Sequence, residues 1–217
     1  MNNVFLYYIN KSRITDPQIS ALENVLSIAE QQKLKKIKMS DARKNFILSR
    51  FLIKRALINF KQTQQFHIGK TTYGKPYLTP NPQNFKISIS HTKESICLLI
   101  AKGIDLIGVD IEETDRKINK KSIINFLYSP DEKSHLTTKD LYENFFKYWT
   151  YKEAMTKAIG KGLLIPFNQI SMSKKYQKYY ISSVSFEVDW HTTGFIVCLN
   201  KKKIFIKINK NEIILEE

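Results

Sequence analysis

The sequence predicts an α+β fold with two related halves. Apolar residues recur at helical spacing in two long stretches, residues 41–60 and residues 142–159. Two other apolar runs have the composition of β-strands, and each contains one cysteine, Cys97 in the first half of the chain and Cys198 in the second. Helices and antiparallel strands in both halves favour the α+β class.

The boundary between the halves is expected near residues 103–107. Gly103 offers a bend there, at the end of an apolar strand. We therefore expect an N-terminal half over residues 1–106 and a C-terminal half over residues 107–217.

The N-terminal half is predicted to begin with a strand at residues 4–10. A helix is expected from Asp16-Pro17, with apolar positions recurring as far as Ala29, because proline is favoured at the first helical position. Ser40 or Asp41 is a suitable N-cap for the long helix, which should end near Phe60. The remaining elements are a turn at residues 73–77 and a β-hairpin over residues 85–101 with its turn at residues 92–95.

The C-terminal half combines short helices with late strands. Ser129-Pro130-Asp131-Glu132 has the pattern of a capping box, with serine as N-cap and glutamate three residues later. The second long helix should stop at Gly160 or Gly162. The other predicted elements are a loop at 113–121, a short helix at 122–127, strands at 170–172, 179–188, 195–199 and 204–208, and a hairpin turn at 200–203.

The charge of the chain favours an anionic partner. The formal net charge is +15, and residues 1–106 carry 17 Lys and Arg against 6 Asp and Glu. Such a field attracts nucleic acid, an anionic membrane, a phosphorylated small molecule or an acidic protein. A general abundance of lysine in this chain explains part of the charge without any partner.

The composition favours a cytoplasmic protein. No run of about 18 apolar residues occurs, so we expect no membrane span. The first nine residues lack the basic start and the cleavage site of a signal peptide and are typical of a strand. Cys97 and Cys198 are isolated from each other in apolar runs, which indicates reduced core thiols.

Two carboxylates at the centre of the chain predict a metal site. Asp110 and Glu112 lie two residues apart in the strand-like segment Gly108–Glu112, so both side chains point to one face of the strand. Adjacent carboxylates raise each other's pKa and destabilise the fold unless a cation lies between them. Mg²⁺ is the natural partner, because it prefers oxygen ligands and substrate phosphates.

The second long helix places three functional side chain types on one face. Trp149, Glu153 and Lys157 follow one another at intervals of four residues. Glu153 would complete the metal site and Lys157 would bind a phosphate. The alternative is an ordinary Glu–Lys pair on a solvated helix face, worth a few tenths of a kcal/mol.

The first long helix carries a column of cations. Arg43, Arg50 and Lys54 lie at i, i+7 and i+11 and therefore share one side of the helix. This column is either a phosphate-binding ridge or a solvated basic face.

Together these segments resemble the 4'-phosphopantetheinyl transferase superfamily, and its Sfp type in particular. The family's G-(I/V)-D-(I/V)-E strand is matched by Gly108–Glu112, and its W-x-x-K-E-x-x-x-K-x-x-G-x-G-L helix by Trp149–Leu163. Lys75 lies in a Y-G-K-P element, and His91 lies in S-I-S-H-T, where the family has N-I-S-H-S. Ser88 replaces the usual asparagine of that element, and we expect the loss of a supporting hydrogen bond.

The resemblance implies a reaction, a substrate and a set of site residues. The reaction is transfer of 4'-phosphopantetheine from coenzyme A to a serine of an acidic apo carrier protein, with Mg²⁺ as cofactor. The fold implied is a monomer of two similar α/β halves packed side by side, with the active site between them. The metal ligands implied are Asp110, Glu112 and Glu153. The residues implied at the phosphates are Arg43, Arg50, Lys75, His91, Lys152 and Lys157. The catalytic candidates are Glu153, Lys157 and Glu132, with a water on the metal as an alternative base.

Two other functions remain open from the residues themselves. A Mg²⁺-dependent nuclease or nucleotidyltransferase would also use paired carboxylates and a basic surface. However, Lys152 directly precedes Glu153, whereas nucleases with an E-x-K motif place the lysine two residues after the glutamate. A non-catalytic basic module that binds RNA or membranes would leave Asp110, Glu112 and Glu153 without a role.

Overall fold

The computed structural model describes residues 2–61, 66–172 and 175–215; the side chain of Leu163, the last position of the helix motif, lies outside the described part. The strands in these ranges are β1 (Asn2–Asn10), β2 (His67–Lys70), β3 (Pro76–Thr79), β4 (Phe85–His91), β5 (Ser95–Lys102), β6 (Leu106–Glu113), β7 (Lys175–Tyr176), β8 (Tyr179–Asp189), β9 (Thr192–Asn200) and β10 (Ile206–Glu212). The α-helices are α1 (Asp16–Leu22), α2 (Ile28–Lys35), α3 (Ser40–Asn59), α4 (Lys120–Leu127), α5 (Pro130–His135), α6 (Thr138–Glu143) and α7 (Phe145–Ile159).

The predicted α+β class is confirmed. One sheet has the order β10-β1-β5-β4, a second has the order β6-β9-β8-β7, and β2 and β3 form a separate ribbon. The long helix α3 packs on the first sheet and α7 on the second. Apolar side chains of the two sheets pack against each other and are buried there, among them Leu6 and Leu99 of the first sheet and Val109 and Ile196 of the second.

The last strand crosses back to the N-terminal half. β10 pairs in parallel with β1, from Asn2 opposite Ile206 to Tyr8 opposite Glu212. The predicted hairpin turn at residues 200–203 is therefore wrong, because β9 and β10 lie in different sheets. Apart from β10, the strands of the first sheet lie before residue 103 and those of the second sheet begin at Leu106. The division into halves at 1–106 and 107–217 stays a prediction.

Two helical predictions near the N-terminus are corrected. The helix expected from Asp16 to Ala29 is interrupted by a 3-10 turn at Glu23–Val25, after which Ser27 begins α2 with a capping box to Glu30. Local capping outweighs the continuous apolar pattern at this point. In α3 the N-cap is Met39 and not Ser40 or Asp41, although the helix ends at Asn59 as expected.

One predicted strand in the C-terminal half does not form. Residues 170–172 follow a 3-10 turn at Phe167–Gln169 and lie outside the strands. There the carbonyl oxygen of Ser171 accepts a hydrogen bond from the Tyr151 hydroxyl at 3.3 Å. Packing on α7 replaces sheet pairing in this segment.

Helix α7 lies directly on strand β6, and glycine makes this contact possible. A Cβ atom added to Gly108 would clash with Ala154 O and lie 2.6 Å from the backbone nitrogen of Ala158. The helix then stops at Gly160, whose φ of 81° is left-handed and suits a glycine C-cap. The predicted stop is confirmed, and the two motif segments become neighbours.

Gly108→Ala should therefore destabilise the fold strongly, by about 3 kcal/mol or more, because backbone atoms cannot move aside for the added methyl group. Urea unfolding followed by circular dichroism measures this. Gly103→Ala is the matched control: Gly103 has a φ of 74° but nothing within 4 Å of an added Cβ, so about 1 kcal/mol is expected. Equal losses in the two variants would contradict the packing role of Gly108.

Candidate functional site

The centre of the site is a charged pair between the two motif segments. Lys157 Nζ on α7 lies 2.7 Å from Asp110 Oδ1 on β6, and it donates to Ser90 Oγ on β4 at 2.8 Å. The Ser90 hydroxyl in turn donates to Asp110 Oδ1 at 2.8 Å. Three elements from both halves thus meet at one carboxylate oxygen.

The electrostatics of Lys157 follow from this pair. Burial alone would lower the pKa of Lys157, but the Asp110 carboxylate and its hydrogen bond, together with Glu153, raise it above the ordinary value. Lys157 therefore carries its full charge in the groove between the halves. The alternative of a Glu–Lys pair on a solvated helix face does not describe this lysine.

Glu112 and Glu153 are destabilised in their charged forms. Burial raises the pKa of Glu153 to about 7, and the charges of Asp110 and Glu112 act in the same direction. Burial and the charge of Asp110 also raise the pKa of Glu112, although its carboxylate accepts a hydrogen bond from Trp149 Nε1 at 2.9 Å and pairs with Arg116 at 3.2 Å. When Asp110, Glu112 and Glu153 are all ionised, their negative charge exceeds the positive charge of Lys157 and Arg116.

The oxygen donors fit a divalent cation. Asp110 Oδ2 is buried and has no hydrogen-bond partner among the described residues, which is costly unless something else compensates it. No group of three or more His, Cys, Asp or Glu side chains in the described ranges is already arranged to hold a metal ion. Glu112 is turned towards Trp149 and Arg116, and the metal set of Asp110, Glu112 and Glu153 stays a prediction.

Glu132 and Lys152 form a different, buried pair. Lys152 Nζ lies 2.5 Å from Glu132 Oε2 and donates to Leu127 O at 2.7 Å, and the lysine has no exposed surface. Glu132 also accepts hydrogen bonds from the backbone nitrogens of Ser129, as the predicted capping box requires, and of Met172. This geometry argues against contact of Lys152 with a phosphate and against proton transfer by Glu132.

Two adjoining grooves lie beside the central pair. The larger, with a volume of about 670 Å³, is lined by α3, β4 and the turn between β2 and β3; we call it the N-terminal groove. The smaller, of about 230 Å³, is lined from both halves and includes Lys157; we call it the interhalf groove. Both are lined by Gly74, Pro76 and Ile89, so they are continuous with each other.

His91 and Lys11 line the N-terminal groove. Enclosure and the charges of Lys11 and Lys157 lower the pKa of His91, which favours the neutral ring in this positive field. Lys11 Nζ donates to Asn45 Oδ1 at 3.0 Å and to Thr92 O at 2.5 Å. His91 was predicted from its motif, whereas neither Lys11 nor Asn45 carried any signal in the sequence.

The predicted column of Arg43, Arg50 and Lys54 forms ion pairs and hydrogen bonds with the N-terminal helical segments. Arg50 Nε lies 3.3 Å from Glu30 Oε1, and Lys54 Nζ lies 3.2 Å from Glu30 Oε2. Arg43 donates to Leu34 O at 2.8 Å and lies 3.6 Å from Glu23. Arg50 also lines the N-terminal groove, although it is only 6% exposed. The described contacts are therefore intramolecular, and binding of coenzyme A by Arg43 and Arg50 stays a prediction.

The ammonium group of Lys75 donates hydrogen bonds to two backbone carbonyl groups. Its Nζ donates to Ala158 O at 2.5 Å and to Ile107 O at 3.3 Å. Burial, assisted by the charge of Lys86, lowers the pKa of Lys75 to about 8. The Y-G-K-P element thus lies at the site, but the lysine in it binds the end of α7.

The two serines of the S-I-S-H-T element connect the halves. Ser88 Oγ accepts a hydrogen bond from the Val109 nitrogen at 3.1 Å, and Ser90 Oγ accepts one from the Ile111 nitrogen at 3.3 Å. Ser88 thus still supports β6 through one hydrogen bond, and the loss expected from the absence of asparagine stays a prediction. Ser90 was missed, although its spacing of two residues from Ser88 placed it on the same face of β4.

Known proteins are similar in sequence to this chain. Residues 106–201 match the 4'-phosphopantetheinyl transferase superfamily. The 4'-phosphopantetheinyl transferase gsp of Aneurinibacillus migulanus is 30% identical over 159 residues, which is 70% of this chain and 62% of that protein. The 4'-phosphopantetheinyl transferase Sfp of Bacillus subtilis (strain 168) is 31% identical over 134 residues, 57% of this chain and 57% of that protein. The chain thus spans less than two thirds of the length of these relatives.

The buried pair gives a prediction for stability. Lys152→Met should destabilise the fold by about 3–5 kcal/mol, because Glu132 would keep a buried charge without its partner. The double variant Glu132→Gln/Lys152→Met should recover much of this loss. Chemical unfolding of the single and double variants measures the coupling, and strictly additive losses would show that the two charges do not depend on each other.

Glu153 gives a prediction for the pH dependence of stability in metal-free protein. Its pKa of about 7 in the folded chain lies above the ordinary 4.5, so the folded state binds more protons between these values and the free energy of unfolding falls as the pH rises through them. Glu153→Gln should remove this slope and stabilise the protein at pH 8 by on the order of 1 kcal/mol, after allowance for solvent screening.

Thermal melts between pH 5 and pH 8 in EDTA measure this difference. Glu143→Gln is the control, because Glu143 lies on the surface with its side chain 61% exposed. Parallel profiles for wild type and Glu153→Gln would contradict the charge crowding described for Glu153.

Proposed function

Because this chain belongs to the 4'-phosphopantetheinyl transferase superfamily, we propose that it transfers 4'-phosphopantetheine from coenzyme A to a serine hydroxyl of an apo acyl or peptidyl carrier protein. The serine oxygen forms a bond to the phosphorus that carries pantetheine, and the diphosphate bond breaks. Adenosine 3',5'-bisphosphate leaves, and the serine proton passes to a base. The observation that carries this proposal is the crowded group of Asp110, Glu112, Glu153 and Lys157 beside the interhalf groove.

The grooves suit the two ends of coenzyme A. The N-terminal groove offers a volume of about 670 Å³ with Lys11, His91 and Lys93 in its lining, which favours a phosphorylated nucleoside. Lys157 lines the interhalf groove, and its positive charge there supports binding of the diphosphate. Coenzyme A would thus lie across both grooves, with its reacting phosphate at the central pair.

The proposed cofactor is Mg²⁺, held by Asp110, Glu112 and Glu153. The unpaired Oδ2 atom of Asp110 and the raised pKa values of Glu112 and Glu153 support this set of ligands. When bound, the ion would neutralise charge on the diphosphate. The charged Lys157 would stabilise negative charge that develops on the leaving group, independently of the metal ligands.

Glu153 is the better candidate for the base. A bound cation beside Glu153 would favour its ionised form, and an ionised carboxylate can accept the proton of an incoming hydroxyl. Glu132 is a weaker candidate, because both of its carboxylate oxygens already accept hydrogen bonds within the fold.

The partner we propose is an acidic carrier protein. We propose that this chain acts on it as a monomer in the cytoplasm, and that neither nucleic acid nor a membrane takes part. The exposed lysines of the turn between α2 and α3, Lys36 and Lys38, add to the positive field of the N-terminal half. Such a field speeds encounter with an acidic surface. Among the described helices, none is long and apolar enough to cross a membrane.

The direct test is the intact mass of an apo acyl carrier protein after incubation with this protein, coenzyme A and Mg²⁺. We expect the mass to rise by one phosphopantetheine group, and the gain to disappear with EDTA or with Glu153→Gln. No gain with several unrelated apo carriers, from protein shown to be folded, would contradict the proposal. Cleavage of nucleic acid by the same preparation would favour the nuclease alternative.

The charge of the α2–α3 turn predicts a salt effect. Lys36→Ala/Lys38→Ala should raise the KM for the carrier by about three- to tenfold at low ionic strength, and the KM should become less sensitive to salt. Steady-state kinetics from 20 to 300 mM salt measure this. Lys201→Ala/Lys202→Ala removes the same charge from the exposed segment between β9 and β10 and is the control. An unchanged salt slope for the first variant would contradict this contact.

A further inference from the structure

Lys75 lies at a junction of the elements that build the site. Its ammonium group donates to Ala158 O, in the last turn of α7, and to Ile107 O on β6. Ala158 follows Lys157 directly, and Ile107 lies three residues before Asp110. One side chain from the N-terminal half therefore reaches both elements that carry the charged groups.

The backbone around Lys75 is fixed. The Thr71 nitrogen donates to Lys75 O at 2.9 Å, and the Lys75 nitrogen donates to Thr71 Oγ1 at 3.1 Å. The aliphatic part of the side chain packs on the helix end, because a Cβ added to Gly160 would lie 3.0 Å from Lys75 Cδ. The turn between β2 and β3 can thus transmit its position to α7.

An ammonium group is favourable at the carboxyl end of a helix, where Lys75 contacts α7. The last carbonyl groups of an α-helix lack partners within the helix, and a cation there also interacts favourably with the helix dipole. Keeping an ammonium group in this enclosed place near Lys86 is costly, as its lowered pKa shows. A lysine that serves only solubility would not be placed there.

We propose that Lys75 is a positioning residue: its ammonium group caps the carboxyl end of α7 and thereby fixes Glu153 and Lys157 relative to the N-terminal half. The effect of this cap on catalysis rests on the proposed transferase function. It differs from the phosphate contact expected of the Y-G-K-P lysine, because the described partners of Nζ are two carbonyl oxygens. Lys75 also lines the interhalf groove, and in this proposal it acts on Lys157 through the position of α7.

The test compares Lys75→Met and Lys75→Arg with wild type. The first keeps much of the aliphatic chain and removes the donor, and the second restores a charged donor. Lys86→Met is the matched control, because Lys86 and Lys75 line one cavity of about 500 Å³, but Lys86 donates to Asn84 Oδ1 and not to α7. If Lys75→Met does not fold, Lys75→Gln replaces it with a shorter neutral donor.

Two readouts separate positioning from phosphate binding. Hydrogen exchange should rise about tenfold at the amides of residues 158–162 in Lys75→Met and return towards wild type in Lys75→Arg. In the carrier assay, kcat should fall about tenfold while the KM for coenzyme A and the preference for coenzyme A over dephospho-coenzyme A stay within twofold. Lys86→Met should change neither readout.

Two results would overturn the proposal. One is unchanged exchange at the end of α7 in Lys75→Met. The other is a raised KM for coenzyme A at unchanged kcat, with loss of the preference over dephospho-coenzyme A, which would identify Lys75 as a phosphate ligand. If the wild type transfers nothing to any carrier, the transferase proposal fails by itself, and the exchange experiment still decides whether Lys75 caps α7.

Discussion

The direct contact of α7 with β6 at Gly108 is the constraint on which the site depends. Without a side chain at this position the helix backbone approaches the strand closely enough for Lys157 to lie 2.7 Å from Asp110. The same approach places Glu153 within reach of the charges of Asp110 and Glu112. The fold therefore concentrates carboxylates beside a close helix–strand contact, and this arrangement suits binding of a cation and a phosphate better than it suits stability.

Neighbouring residues of α7 have different roles, one in the stability of the fold and others at the proposed site. Lys152 points into the interior and pairs with Glu132, which holds the start of α5 against α7. Lys157 points to β6 and lines the interhalf groove, and Glu153 lies close enough to Asp110 and Glu112 for their charges to act on its pKa. A Lys-Glu motif read as one functional unit thus contains one buried structural pair and one reactive group. The difference arises because consecutive residues of a helix face directions about 100° apart.

Features set by local chemistry could be predicted from the sequence. The shared face of Asp110 and Glu112 follows from strand geometry, and the end of α7 at Gly160 follows from glycine capping. The crossing of β10 to the first sheet could not be predicted, because its partner β1 lies some 200 residues away and the local pattern is equally typical of a hairpin. The partners of Arg50 and Lys75 could not be predicted either: a cation at a known position on an element binds whichever acceptor the tertiary structure brings to it.

The most direct test of the account is Mn²⁺ binding, followed by electron paramagnetic resonance in the presence of coenzyme A, with Mn²⁺ as a spectroscopic substitute for Mg²⁺. Crowded, partly compensated carboxylates at the β6–α7 contact should bind one ion, and Asp110→Asn, which removes the charge but keeps the shape, should weaken binding by about tenfold or more. Asp131→Asn, at a carboxylate that is 77% exposed, should leave binding unchanged. Equal binding by wild type and Asp110→Asn would contradict the assignment of this contact as the metal site.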